Sequence, residues 1–319
     1  MQGRSVEEYG APLFLAWQLT NRCSARCIAC CEESGPDKAW GDELTRVEAI
    51  VLAQRITQAG IPYVAFGGGE PLSVSHCWEI FDCLAAAGVS LKLETDGSRI
   101  DDAAADRIAS LAVQCVQISV DGATAATHQR VRPGSSFATA IAAIERLVAR
   151  GQPPQLVFVP TRFNLREIVP TFDLAVSLGC SAFVTGPLMR IGRAAAAWGD
   201  VAPPDAAWQR AVDELRAHAQ LRGAPIDLSI YPWDIVTEME TRVESPQAML
   251  LVVPNGKVKL LNALPFSPAD LRSDSLETAW QAYRAAWRSR EVREFVARCR
   301  SEPALLLHAN ETWRMQQAA

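Results

Sequence analysis

No run in the 319-residue chain approaches the roughly 18 uninterrupted apolar residues that a membrane helix needs. The N-terminal stretch Met1 to Gly10 also lacks the basic start and apolar centre of an export signal. A cytoplasmic protein that neither spans nor docks on a membrane is expected. Positive charge is not in excess: 31 Lys and Arg stand against 36 Asp and Glu, a formal net charge of -5. No basic stripe offers itself to a phosphate backbone, so nucleic acid is not expected as a partner. The dense cysteine spacing of a secreted disulfide scaffold is missing too. Of nine cysteines, Cys77, Cys83, Cys115, Cys180 and Cys299 stand singly inside otherwise regular segments. A chain of this length that is 49% hydrophobic buries a core without staples. Finally, only one Cys-x-x-Cys pair exists, which argues against a four-thiolate structural zinc site.

What the chain does have is Asn21-Arg22-Cys23-Ser24-Ala25-Arg26-Cys27-Ile28-Ala29-Cys30-Cys31, four cysteines in one short loop. The loop follows Pro12 to Leu19, a short apolar stretch with aromatics that reads as a buried strand. A helix is predicted from Glu43 to Gly60. Thr45 and Glu48 are spaced as its capping box, Val47, Ile50, Val51 and Ile56 form one face, and Gly60 is the stop. Strands and helices then alternate. Strands are expected at 63–66, 89–94, 115–120, 156–159 and 182–184, and helices at 75–87, 101–111, 137–150 and 165–178. Crossovers of this length force a parallel sheet, either open and doubly wound or most of a barrel. In both, ligands gather at the C-terminal ends of the strands. Those ends read Cys23 to Cys30, Gly67-Gly68-Gly69-Glu70-Pro71, Thr95-Asp96-Gly97 and Ser119-Val120-Asp121-Gly122.

Cys23, Cys27 and Cys30 form Cys-x-x-x-Cys-x-x-Cys, three soft thiolates that suit an iron-sulfur cluster. Three ligands leave one iron of a 4Fe-4S cube open, as a catalytic metal site requires. Cys31 reads as a small buried hydrophobe. The cysteine pattern after the first strand, with Gly67 to Pro71 after the second, resembles the radical S-adenosylmethionine superfamily, over most of residues 13–194. The resemblance implies a partial (β/α)6 TIM-type barrel, in an α/β class also reached from periodicity. It further implies an oxygen-sensitive enzyme whose open iron chelates S-adenosylmethionine. An electron from a flavodoxin- or ferredoxin-type donor then yields a 5'-deoxyadenosyl radical, which abstracts hydrogen. On the same resemblance, Gly67, Gly68, Gly69 and Glu70 hold the methionine end of S-adenosylmethionine. Thr95, Ser119, Asp121 and Arg193 also meet the cofactor, Asp96 replaces the usual Asn, and His128-x-x-x-Arg132 and Gly192-Arg193-Ala194 belong to a branch that often carries an auxiliary-cluster domain. No general acid or base is assigned; Glu94, Arg162, Asn164 and Arg193 lie near strand ends.

Two departures stand out. The residue before the third cysteine is usually aromatic in that family, and here it is Ala29, which should loosen the pocket. From Met249 onward a hairpin and helix resemble a SPASM or twitch domain, yet Asn262 and Ala263 follow the hairpin and Cys299 stands alone. The expected organisation is an N-terminal extension (1–12), a barrel core (13–194), a linker and substrate cover (195–244), and a small α+β SPASM/twitch-like remnant without its metal (245–319). One cluster is therefore expected, and redox-neutral chemistry favoured. Since 22 residues precede Cys23, a small-molecule substrate in cofactor or natural-product biosynthesis is expected first. Maturation of a ribosomal peptide, by epimerisation or crosslinking, and a catalytically silent scaffold are the alternatives.

Overall fold

A computed structural model describes residues 6–111 and 113–315. The first five residues of the expected N-terminal extension and the last four of the C-terminal region lie outside the described residues. Strand β1 (Phe14–Thr20) leads through α1 (Arg46–Gln58), β2 (Tyr63–Gly68), α2 (Cys77–Ala86), β3 (Ser90–Thr95) and α3 (Asp102–Ser110) to β4 (Cys115–Ser119). Helices α4 (Ala125–Val131) and α5 (Phe137–Ala149), β5 (Gln155–Phe158), α6 (Ile168–Ser177) and β6 (Ala182–Thr185) follow. Next come α7 (Gly192–Ala196), α8 (Trp198–Val201), α9 (Asp205–Leu221), β7 (Asp227–Ile230), α10 (Ile235–Glu244), β8 (Met249–Val252) and β9 (Lys257–Lys259). Two-residue strands β10 (Phe266–Ser267) and β11 (Ala269–Asp270), helices α11 (Leu276–Trp287) and α12 (Arg290–Cys299), and β12 (Trp313–Arg314) complete the described chain. The sheet is mostly parallel and does not close, the architecture of a partial TIM-type barrel.

Two compact units interleave along the sequence. The first takes the chain up to Cys23, Cys31–Leu91, and everything from Ile235. In it β1 is flanked by two parallel neighbours, with Leu15 in register with Val64 of β2 and with Leu250 of β8. The expected C-terminal hairpin is present, β9 running antiparallel to β8, and β8 also extends the sheet at β1. Aromatic packing fills this unit: Phe66 lies 5.9 Å from Trp17 and 4.5 Å from Phe81, and Trp280 stacks on Tyr283 at 5.4 Å. The α1 capping box forms as expected, but the buried face is Ala49, Leu52, Ala53 and Ile56. Val47 is 68% exposed and Val51 39%. Ile56 of the predicted face is thus buried while the valines are not: the two alanines, by being small, let the helix approach its neighbours, and apolarity alone pointed to the valines.

The second unit holds Ser24–Cys30 and Lys92–Asp234. Its strands pair in parallel, and Ile118, Leu156, Phe183 and Leu228 align across β4, β5, β6 and β7. Phe158, Phe172 and Phe183 form its aromatic centre. The segment expected as linker and cover contributes α9 and also β7, paired with β6.

Candidate functional site

The second half of the cysteine loop is held by backbone. Arg26 N–H donates to Pro133 O at 2.7 Å and Ile28 N–H to Val131 O at 2.9 Å, so residues 131–133, just past α4, run alongside the loop. Gly134 has φ +89°, and a Cβ there would stand 2.9 Å from Ser24 O, so glycine permits the close approach. Arg193, opening α7, donates from its backbone N–H to Cys30 O (3.1 Å) and from Nε to Cys27 O (2.6 Å). The arginine expected to meet the cofactor thus donates to the loop's carbonyls. Ser24 Oγ donates to Asp96 Oδ2 at 3.1 Å, while Asp96 Oδ1 accepts from Ser98 N–H at 2.8 Å. Asp in place of the family's Asn keeps the turn and gains an acceptor for the loop.

Asp121, just past β4, is 1% exposed and fully employed. Its Oδ1 accepts from Val159 N–H at 2.7 Å and its Oδ2 from Arg132 Nε at 2.6 Å. Asn164 Nδ2 donates to Asp121 O at 3.2 Å and to Val159 O at 3.0 Å, so Asn164 is a buried brace. Asp121 N–H donates to Nδ1 of the buried His128, which leaves Nε2 to carry the proton toward Ser135 Oγ at 3.1 Å. Burial, then the neighbouring Arg132, pushes His128 down to about 4, so the ring is neutral. Arg132 also reaches the loop, its Nη1 donating to Cys27 Sγ at 3.6 Å. Burial holds the Cys27 thiol above its ordinary range while Arg132 pulls it down. For Arg132 burial opposes the charge, but Asp121 and Cys27 outweigh it and raise the guanidinium further.

In the first unit, the glycine strip is stitched to the segment before Cys23. Gly69 N–H donates to Thr20 O at 2.7 Å and Glu70 N–H to Arg22 O at 2.8 Å. A Cβ on Gly69 would sit 2.0 Å from Arg22 O, and one on Gly68 (φ +105°) 2.6 Å from Thr20 O. Glycine is demanded here by close strand-end packing before any ligand is considered. Glu70 is 1% exposed and its Oε1 accepts from Leu72 N–H, capping the turn that follows. Cys23 N–H donates to Gly35 O at 3.0 Å. Cys31 is half-buried, less enclosed than expected, and its carbonyl is held by Asn310 Nδ2 at 2.8 Å.

Of the remaining sequence candidates, Thr95 is buried and its Oγ1 accepts from Gly97 N–H at 3.0 Å. Ser119 ends β4, half-buried. Glu94 pairs with Lys92 at 2.7 Å, and Arg162 Nε donates to Ala202 O at 3.3 Å. Ala29 is 8% exposed inside an apolar cluster with Leu188, Ala194, Val201 and Ala202, against which Phe163 and Trp198 pack. Those two aromatics bring bulk to the cluster in which Ala29 sits.

None of the nine cysteines is in a disulfide, and Cys23, Cys27 and Cys30 are half-buried. Among the described residues no three His, Cys, Asp or Glu side chains converge as one metal ion would require. A 4Fe-4S cube makes no such demand, because each thiolate takes a different iron corner. Soft, partly accessible thiols on a braced backbone fit that cluster.

The sequence profile of the Radical SAM superfamily matches residues 17–175. Residues 17–175 belong to the radical SAM superfamily. Members of that superfamily such as the maturases and heme synthases below are enzymes, and the superfamily implies S-adenosylmethionine and an iron-sulfur cluster. The mycofactocin maturase MftC of Mycobacterium ulcerans (strain Agy99) is 34% identical over 205 residues, 63% of this chain and 55% of that protein. The AdoMet-dependent heme synthase of Methanosarcina barkeri is 34% identical over 185 residues, 57% and 52% of the two. The chain thus spans about half the length of the curated relatives it matches. In fold it is similar to Streptococcus suis SuiB bound to precursor peptide SuiA, with a TM-score of 0.73 at 12% identity over 89% of this chain and 69% of that one. Among the described residues no helix is long and apolar enough to cross a membrane.

The link from Arg132 to Cys27 is not visible in the sequence. His128-x-x-x-Arg132 is the available signal, but nothing in its spacing says that the arginine points at a thiol.

Proposed function

We propose that this radical SAM enzyme carries one 4Fe-4S cluster on Cys23, Cys27 and Cys30 and performs a hydrogen-abstracting tailoring step in cofactor or natural-product biosynthesis. The observation that carries this is the three-cysteine loop itself, partly accessible, braced, and inside the stretch that matches the superfamily. When bound, cluster and S-adenosylmethionine supply a 5'-deoxyadenosyl radical fed by a flavodoxin- or ferredoxin-type donor.

The chain's own residues orient and enclose. Gly67, Gly68, Gly69 and Glu70 receive the methionine end; with the Gly69 and Glu70 amides engaged on the β1 end, the strip has carbonyl oxygens to offer a cationic amino group. Thr95 and Ser119 take cofactor contacts from the ends of β3 and β4. Asp121 and Arg193 serve the cofactor indirectly, the first by fixing Arg132 and the second by fixing the carbonyls of Cys27 and Cys30. Cys299, the lone cysteine of residues 245–319, is buried in α12 with its Sγ donating to Phe295 O, which argues against a second cluster in the C-terminal region. That favours a redox-neutral outcome, and the likeness to a heme synthase supports a small-molecule substrate. The likeness to mycofactocin maturase, and to a fold solved with a precursor peptide, supports a second reading in which the substrate is a peptide.

The experiment is anaerobic reconstitution of wild type and of Cys23→Ala, Cys27→Ala and Cys30→Ala. Each variant should lose the cluster's visible absorption, and retention of full absorption by any of them would refute its ligand assignment. Incubation in deuterated buffer with a porphyrin or a precursor peptide, read by mass spectrometry, separates the two substrate classes.

A further inference from the structure

The ion pair of Asp121 and Arg132 is far more enclosed than a surface salt bridge, with the two side chains 2% and 12% exposed and 2.6 Å between Nε and Oδ2. Burying two charges is expensive, and a pair kept at that cost calls for a purpose beyond stability. Each end of this one is fixed. The carboxylate is anchored at the far side by Val159 N–H, and the backbone around it by His128 and Asn164. The arginine's own chain segment is fixed by Val131 O and Pro133 O, which accept from Ile28 and Arg26. With Nε spent on Asp121, the guanidinium fork directs Nη1 at Cys27 Sγ, 3.6 Å away.

We infer that Arg132 is a positioning residue that raises the reduction potential of the cluster by donating a hydrogen bond to the Cys27 thiolate. This rests on the cluster assignment above. Hydrogen bonds to the sulfurs and local charge are what the protein uses to set such potentials. An N–H donor and a cation on the sulfur side stabilise the more negative, reduced state. Asp121, by holding Nε, aims the guanidinium so that Nη1 meets the sulfur. The consequence for the reaction is that the electron donor loads the cluster more readily.

The test uses the reconstituted full chain, with Arg132→Lys and the double variant Asp121→Asn/Arg132→Gln, the latter removing both charges so that neither is left buried alone. Iron content, thermal unfolding by circular dichroism and an EPR-monitored redox titration are measured for each. Both variants should hold wild-type iron. At the wild-type midpoint potential the double variant's ratio of reduced to oxidised cluster should fall about tenfold, a lowering of about 59 mV for one electron, and Arg132→Lys should fall part of the way. An unchanged midpoint in a variant with wild-type iron would overturn the inference. So would a folded double variant that takes up no iron, because Arg132 would then be seating the ligand instead of tuning it. Should the double variant not fold, Arg132→Lys, which keeps the ion pair, decides the question by the same midpoint measurement. Failure of wild type itself to take up iron would instead defeat the cluster assignment.

Discussion

Gly69 shows how tightly single positions are determined around the cysteine loop. A methyl group there would stand 2.0 Å from Arg22 O, so Gly69→Ala must move either the strip or the residues before Cys23. A destabilisation of about 3 kcal/mol or more is expected by thermal unfolding, with reduced iron uptake. Ala29 is constrained from the other direction, since its small cluster is already packed by Phe163 and Trp198. Restoring an aromatic with Ala29→Tyr should cost about 1–3 kcal/mol by overpacking, measurable by urea unfolding. His128 makes a pH prediction whose sign follows from its burial. The folded ring resists protonation down to about 4, whereas an unfolded histidine binds a proton near 6.5. The unfolded chain therefore binds more protons in that window. The stability His128 confers is complete above about pH 6.5 and is lost progressively as pH falls toward about 4, up to about 3 kcal/mol. Urea midpoints across this range should fall in wild type and flatten in His128→Asn; equal slopes would contradict the assignment.

The elements differ in how openly the sequence declares them. Helix α1 is readable because Thr45 and Glu48 satisfy the first-turn donors reciprocally, and both bonds form. Thr45→Ala should cost about 1 kcal/mol, again by urea unfolding, and leave cluster content unchanged. Strand β7 is hard to read, for its four residues alternate exposed and half-buried and Leu228 and Ile230 make too short an alternation to stand out from a linker. The pairing of β8 with β1 joins residues more than two hundred positions apart, and no local pattern encodes such a partner. The site divides in the same way. The cysteine loop and glycine strip lie within single turns and are legible. Arg193 stands out in the sequence, but its work on the carbonyls of Cys27 and Cys30 does not, and the Arg132 bond to Cys27 spans 105 residues. Spacing reports which groups are available, and tertiary packing decides what they touch.

At the scale of the whole molecule, the chemistry is proposed to sit on the one loop that follows the first strand of a chain with parallel β/α units, braced by the backbone of residues 131–133 and by Arg193. One cluster implies about four iron atoms per chain after reconstitution, against about eight if the C-terminal region held a second. The central claim is that this loop initiates radical chemistry. It is tested most directly by supplying S-adenosylmethionine to the anaerobically reduced, reconstituted protein and measuring 5'-deoxyadenosine. The account predicts 5'-deoxyadenosine from wild type and none above background from Cys27→Ala; a wild-type protein that holds its iron, binds S-adenosylmethionine and forms no 5'-deoxyadenosine would contradict it.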